Sequence, residues 1–165
     1  MNDYIQLINL LLSTLAFVLI AQWYILPAID RVKWEDALQP FLLLHSFRHV
    51  GLMFLASGAV KFELDSAFAR PAALGDLTAS LLAFLALASI RLRWKSAIFI
   101  VWLFNIEGTL DLLYALTQGV VRKTWNGMGA TFWIPSVIVP ALLVTHYIMF
   151  VILIRSTNDR NTKDT

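Results

Sequence analysis

The chain contains no cysteine. Disulfides, iron–sulfur clusters and thiolate-ligated metals are therefore excluded, and nothing about the redox compartment can be read from it. Charge is scarce as well. Asp, Glu, Lys and Arg make up 15% of the 165 residues, against about 25% in an ordinary soluble domain. There is no glycine-rich phosphate loop, no GxSxG elbow and no HExxH pair, so the familiar soluble catalytic templates are missing. What is abundant is apolar: 59% of residues, with a mean hydropathy of +0.70. This composition excludes a soluble enzyme, a nucleic-acid binder and a disordered tail, and it points to an all-α integral membrane helical bundle.

A helix crossing a hydrocarbon core of roughly 30 Å needs about 20 mostly apolar residues. Five segments meet that requirement, over about 4–26, 38–60, 71–90, 96–119 and 131–154. They form a single transmembrane bundle, residues 1–154, followed by a polar tail, residues 155–165, rich in Asn, Asp, Thr, Lys and Arg. The first segment carries Asp3 and no basic residue ahead of an apolar stretch too long for a signal peptide, so it reads as a permanent span. With the N-terminus outside, eight loop and tail Lys and Arg fall inside against four outside. That asymmetry predicts N-terminus out and a cytoplasmic tail. Trp23, Tyr24, Trp34, Trp94, Trp125 and Trp133 fall near span ends, as interfacial aromatics do. Pro40 and Pro71 are expected in first helical turns, where a missing N–H is tolerated, whereas Pro140 is expected to kink the last span. Small residues on the third span (Ala72, Gly75, Ala79, Ala83, Ala86) and Gly108, Ala115 and Gly119 on the fourth predict close helix packing.

The informative residues are the polar ones inside the spans, because a charge at mid-bilayer costs about 2.5–3.5 kcal/mol on insertion scales and needs a partner or water. At 1.5 Å per residue from the inner span ends, His45, Arg48 and His49 come to depths of about 10, 15 and 16 Å. Asn105, Glu107 and Asp111 come to about 14, 16 and 22 Å, and His146 to about 12 Å. Asp76 is expected within about two turns of the outer end of its span, and partly wet. Helical spacing puts His45, Arg48 and His49 on one face and Glu107 and Asp111 on another, and equal depth predicts that the two faces meet. One guanidinium then stands against up to three carboxylates, Asp76, Glu107 and Asp111. The surplus negative charge calls for a bound proton, a charged histidine, or a cation.

Four readings of this cluster stay open on the sequence. It is a buried ion pair that sets helix register. It is a proton or ion pathway through Arg48, His49, Glu107 and Asp111, serving the transport of a small molecule. It is a metal site, with His45, His49 and His146 as zinc ligands beside Glu107 or Asp111. Or it is a haem site using His146 and a second-span histidine. Five helices enclose little space, so a transport role implies a homo-oligomer or a larger membrane complex within the lipid bilayer.

The stretches Leu44-His-Ser-Phe-Arg-His-Val-Gly-Leu52, Phe68-Ala-Arg-Pro-Ala-Ala-Leu-Gly-Asp76, Asn105-Ile-Glu-Gly-Thr-Leu-Asp111, and Ile134-Pro-Ser onward to Thr145-His146 resemble a group of small bacterial multi-pass membrane proteins to which no activity is attached. The resemblance covers most of the chain. It implies a bacterial inner membrane location and says nothing of mechanism. It also implies that Arg48 and Asp111 form the core pair, because the position of Glu107 is apolar in that group.

Overall fold

A computed structural model describes residues 2–161, so the last four residues of the expected tail lie outside the described residues. All regular structure among them is helical. The chain runs α1 (Asn2–Ile20), a π-helical turn Ala21–Ile25, α2 (Leu26–Ile29), α3 (Trp34–Ser46) and a 3₁₀ segment Phe47–Leu55. It continues through α4 (Ser66–Arg91), α5 (Ala97–Arg122), short 3₁₀ turns, a second π-helical turn Ile134–Ile138, and α6 (Val139–Asn161). The expected tail is therefore helical as far as Asn161, an extension of α6.

Among the described residues, four helical stretches are long and apolar enough to cross a membrane: Tyr4–Ile29, Ser66–Arg91, Ala97–Arg122 and Gly129–Thr157. The expected second span is not a fifth continuous helix. α3 ends at Ser46, the backbone tightens to 3₁₀ geometry, and by Ala56 it is extended. The Ser46 carbonyl at that junction accepts a hydrogen bond from Ser80 Oγ at 2.6 Å, and His49 Nδ1 lies 2.9 Å from it. Two side chains thus gather at that carbonyl, where the helix changes geometry.

The prolines explain both π turns. Pro27 and Pro140 have no N–H, and each ring collides with the carbonyl four residues earlier. Widening the preceding turn relieves this: Leu26 N–H bonds to Ala21 O and Val139 N–H to Ile134 O, both five residues back. At Pro140, where a kink is expected, the structure shows this π turn. Pro40 and Pro71 depart from expectation, because both lie inside their helices. α3 and α4 begin earlier than hydropathy alone suggests. Glu35 and Asp36 occupy the first turn of α3, where acidic side chains complement the helix dipole. Asp65 caps α4 by accepting from Ala67 N–H at 2.9 Å. That backbone bond, with Arg122 Nη1 at 2.5 Å, holds the Asp65 carboxyl below its ordinary pKa.

α4 is the central helix. Residues 34–55 lie antiparallel along one side of it, from the Ser46–Ser80 contact to the stacked rings of Phe54 and Phe68, 5.4 Å apart. α5 lies antiparallel on another side, tied by Asp65–Arg122 at its far end. Buried Ala69, Ala72, Ala73, Ala79, Ala83 and Ala86 give α4 the slim profile that lets neighbours approach. α6 closes the bundle, and α1 packs on the outside of α6, where Ser136 Oγ meets Gln6 Oε1 at 3.2 Å and Arg155 pairs with Asp30.

Two apolar cores result. One includes Leu38, Leu42, Ala83, Val101, Ile148 and Leu153. The other includes Phe54, Phe68, Ala72, Leu112, Met128 and Leu142. Along α4, Asp76 falls between them, and along α5 Asn105 and Gly108 do the same.

Candidate functional site: a buried guanidinium between two carboxylates

Arg48 is 4% exposed and projects from the 3₁₀ segment into this gap. Its Nε donates to Asp76 Oδ1 at 2.9 Å, Nη2 to Asp111 Oδ2 at 2.5 Å, and Nη1 to the Gly108 carbonyl at 3.1 Å. One planar fork thus ties α4, α5 and the 3₁₀ segment that follows α3 together, a task that suits arginine and not lysine. Asp76, expected near the membrane surface, is instead 8% exposed and directly paired. α4 begins at Ser66, not near Pro71, which places Asp76 ten residues into its helix and not five.

Three glycines make room for the charges. A Cβ on Gly51 would stand 2.7 Å from both Cβ and Cγ of Asp76, and one on Gly75 would stand 2.5 Å from Asp111 Cγ. A Cβ on Gly108 would come within 2.7 Å of Arg48 Nη1 and 2.8 Å of His146 Nε2. Ordinary Cβ contacts are wider than this, so each glycine is a seat for a polar side chain.

Beside the guanidinium lie two imidazoles. His146 Nδ1 is 2.7 Å from Asn105 Oδ1, while Asn105 Nδ2 donates to the His146 carbonyl at 3.3 Å. The amide orientation makes Oδ1 the acceptor, so His146 carries its proton on Nδ1. His45 Nε2 lies 3.0 Å from Thr145 Oγ1, whose own hydrogen goes to the Leu142 carbonyl at 2.9 Å. His45 therefore donates from Nε2. His45 Nδ1 and His146 Nε2 are left as bare lone pairs, both buried and without a partner, as is Glu107 Oε2. The rings lie 4.1 Å apart, centroid to centroid.

Several expectations are corrected by this geometry. His49 does not share the face of His45; it is exposed and turns back on its own backbone. The 3₁₀ segment advances 120° per residue, so position i+3 and not i+4 returns to the same side. That rule keeps Arg48 with His45 and sends His49 away. The three-histidine zinc set of His45, His49 and His146 consequently does not assemble, and among the described residues no group of three His, Asp or Glu side chains is placed to hold a metal. A haem between His45 and His146 does not fit either, since the two rings are already in contact. Glu107 lies one position from the inward Gly108 on α5 and is half-buried, without a bond to Arg48.

Sequence reasoning missed the seating glycines and the hydroxyl partners Ser80 and Thr145. Adjacency is a signal for Thr145, which precedes His146, but not for the glycines, since Gly75 seats Asp111 and Gly108 seats Arg48 and His146. No curated protein and no solved structure matches the chain. A family model matches residues 5–154, and the chain belongs to that family, described only as a domain of unknown function, DUF8737.

Proposed function

We propose that the chain is a five-pass membrane protein whose buried polar centre carries protons during the movement of a small solute. Membrane residence is supported by large apolar side chains facing outward on every long helix, among them Leu11, Leu15, Leu81, Phe84, Phe99, Leu103 and Leu110. The broken second pass is long enough to serve as a span. Thirteen α-helical residues at 1.5 Å and nine 3₁₀ residues at 2.0 Å reach about 37 Å. The excess of Lys and Arg in the first and third loops and the tail favours a bacterial cytoplasmic membrane with the N-terminus outside. α1, exposed along most of its length, is the surface on which a second copy or a larger membrane complex would assemble.

One observation carries the functional reading. A single guanidinium faces two carboxylates, and three further buried acceptors next to it have no donor. Carboxylates in excess of the positive charge at a buried site are the groups that take up and release a proton there. The test is pH-sensitive dye flux in proteoliposomes under an imposed gradient. Glu107→Gln and Asp111→Asn should preserve folding and reduce proton flux at least tenfold. Flux unchanged in both variants overturns the reading.

A second reading is favoured by the three glycine seats, which fit the charges as closely as a packed core. On that reading the centre sets helix register in a structural or assembly subunit. It predicts no flux above empty liposomes and a loss of folding wherever a seat is filled.

A further inference from the structure

A cavity of about 320 Å³ opens from the polar centre toward the C-terminal end of α5. Its walls are apolar, with Phe54, Phe68 and Leu112 among them, and its inner end is bounded by Asp76. Lys123 and Gln6 border it further out. From Leu112 to the end of α5 at Arg122 is ten residue steps, a depth of about 15 Å. A second cavity of about 200 Å³ meets the first at Asp76 and reaches Arg48. The larger space is at the lower end of the range for a single small-molecule site, and such sites combine apolar walls with a few orienting polar groups.

We propose that this cavity binds an amphiphilic amine, with its alkyl body along the apolar walls and its ammonium group on Asp76. Charge complementarity selects the cation. Arg48 engages Asp76 through Oδ1 alone, and it divides its charge between Asp76, Asp111 and the Gly108 carbonyl. Two carboxylates on one guanidinium leave a negative surplus, and Asp76 is the member that borders both cavities. Its carboxylate has two oxygens, so the Arg48 bond does not exhaust it. A neutral or anionic head at the same depth would leave that surplus unanswered. This deepens the transport reading by naming the solute class, and it rests on that reading for its location in a membrane.

Equilibrium binding of decylamine, decanol and decanoate to the full chain in lipid nanodiscs tests the assignment, with empty nanodiscs as reference. The three probes share a ten-carbon body and differ in head charge. Decylamine should bind at least tenfold more tightly than decanol, and decanoate should not exceed the reference. Asp76→Asn should abolish the preference for the amine. Ala115→Phe, which fills the cavity and leaves Asp76 in place, should abolish binding of decylamine itself. Equal binding of amine and alcohol, a preference for decanoate, or binding unchanged in Ala115→Phe each overturns the proposal. Binding is read without a gradient and flux without an amine. Proton flux in a protein that does not prefer the amine sinks this inference alone, and amine binding in a protein without proton flux sinks the transport reading alone.

Discussion

Gly75 on α4 and Asp111 on α5 meet so closely that a Cβ at position 75 would stand 2.5 Å from the Asp111 Cγ. The aspartate can reach Arg48 only because the neighbouring helix has no side chain there. Gly75→Ala should therefore lower stability by about 2–3 kcal/mol, at the upper end of ordinary overpacking. In an Asp111→Ala background the added methyl meets empty space, and the same change should cost less than half as much. Unfolding in mixed micelles of the wild type, the two single variants and the double variant measures this coupling. Additive costs would mean that the close approach is not what Gly75 provides.

The fork at Arg48 makes a second prediction. Arg48→Ala strands buried Asp76 and partly buried Asp111 and should cost about 3–5 kcal/mol, the range for a buried pair broken from one side. Arg48→Lys has a single point of charge and cannot span Asp76 on α4 and Asp111 on α5 together, so it should recover only part of the loss. Removing all three charges at once, as Arg48→Met with Asp76→Asn and Asp111→Asn, should restore more than half of the stability lost in Arg48→Ala. A triple variant no better than the single one would show that ion pairing is not what holds these helices.

Much of this arrangement was legible in the sequence, because a helix converts residue number into depth at a constant rate. That constancy puts Arg48, Asn105 and His146 at one level, and all three sit in the gap between the two apolar cores. It failed where its premises failed. Depth for Asp76 is counted from a helix start near Pro71, but capping at Asp65 lets α4 begin five residues sooner, so Asp76 stands about 15 Å and not about 7 Å along its helix. The face of His49 was assigned by α-helical spacing, and the backbone there is 3₁₀. The role of Gly51, Gly75 and Gly108 was not legible at all. Glycine in a membrane helix ordinarily signals close helix contact, and nothing in the one-dimensional pattern says that the thing approaching is a carboxylate.

The two buried imidazoles allow a sharper test, since their partners dictate opposite tautomers. ¹⁵N-labelled histidine observed by NMR should show His146 protonated on Nδ1, where Asn105 Oδ1 accepts, and His45 protonated on Nε2, where Thr145 Oγ1 accepts. Asn105→Leu removes the acceptor from His146 alone and should disturb that signal while leaving His45 in its form. Thr145→Val should do the reverse. His49 is exposed, so its signal should be insensitive to both changes, and His49→Ala should shift stability by no more than about 0.5 kcal/mol. His45→Ala, by contrast, should cost about 1–3 kcal/mol, because a packed ring and a buried hydrogen bond are lost together. If His49→Ala is the more damaging of the two, the 3₁₀ geometry that separates these histidines is wrong, and with it the placement of Arg48.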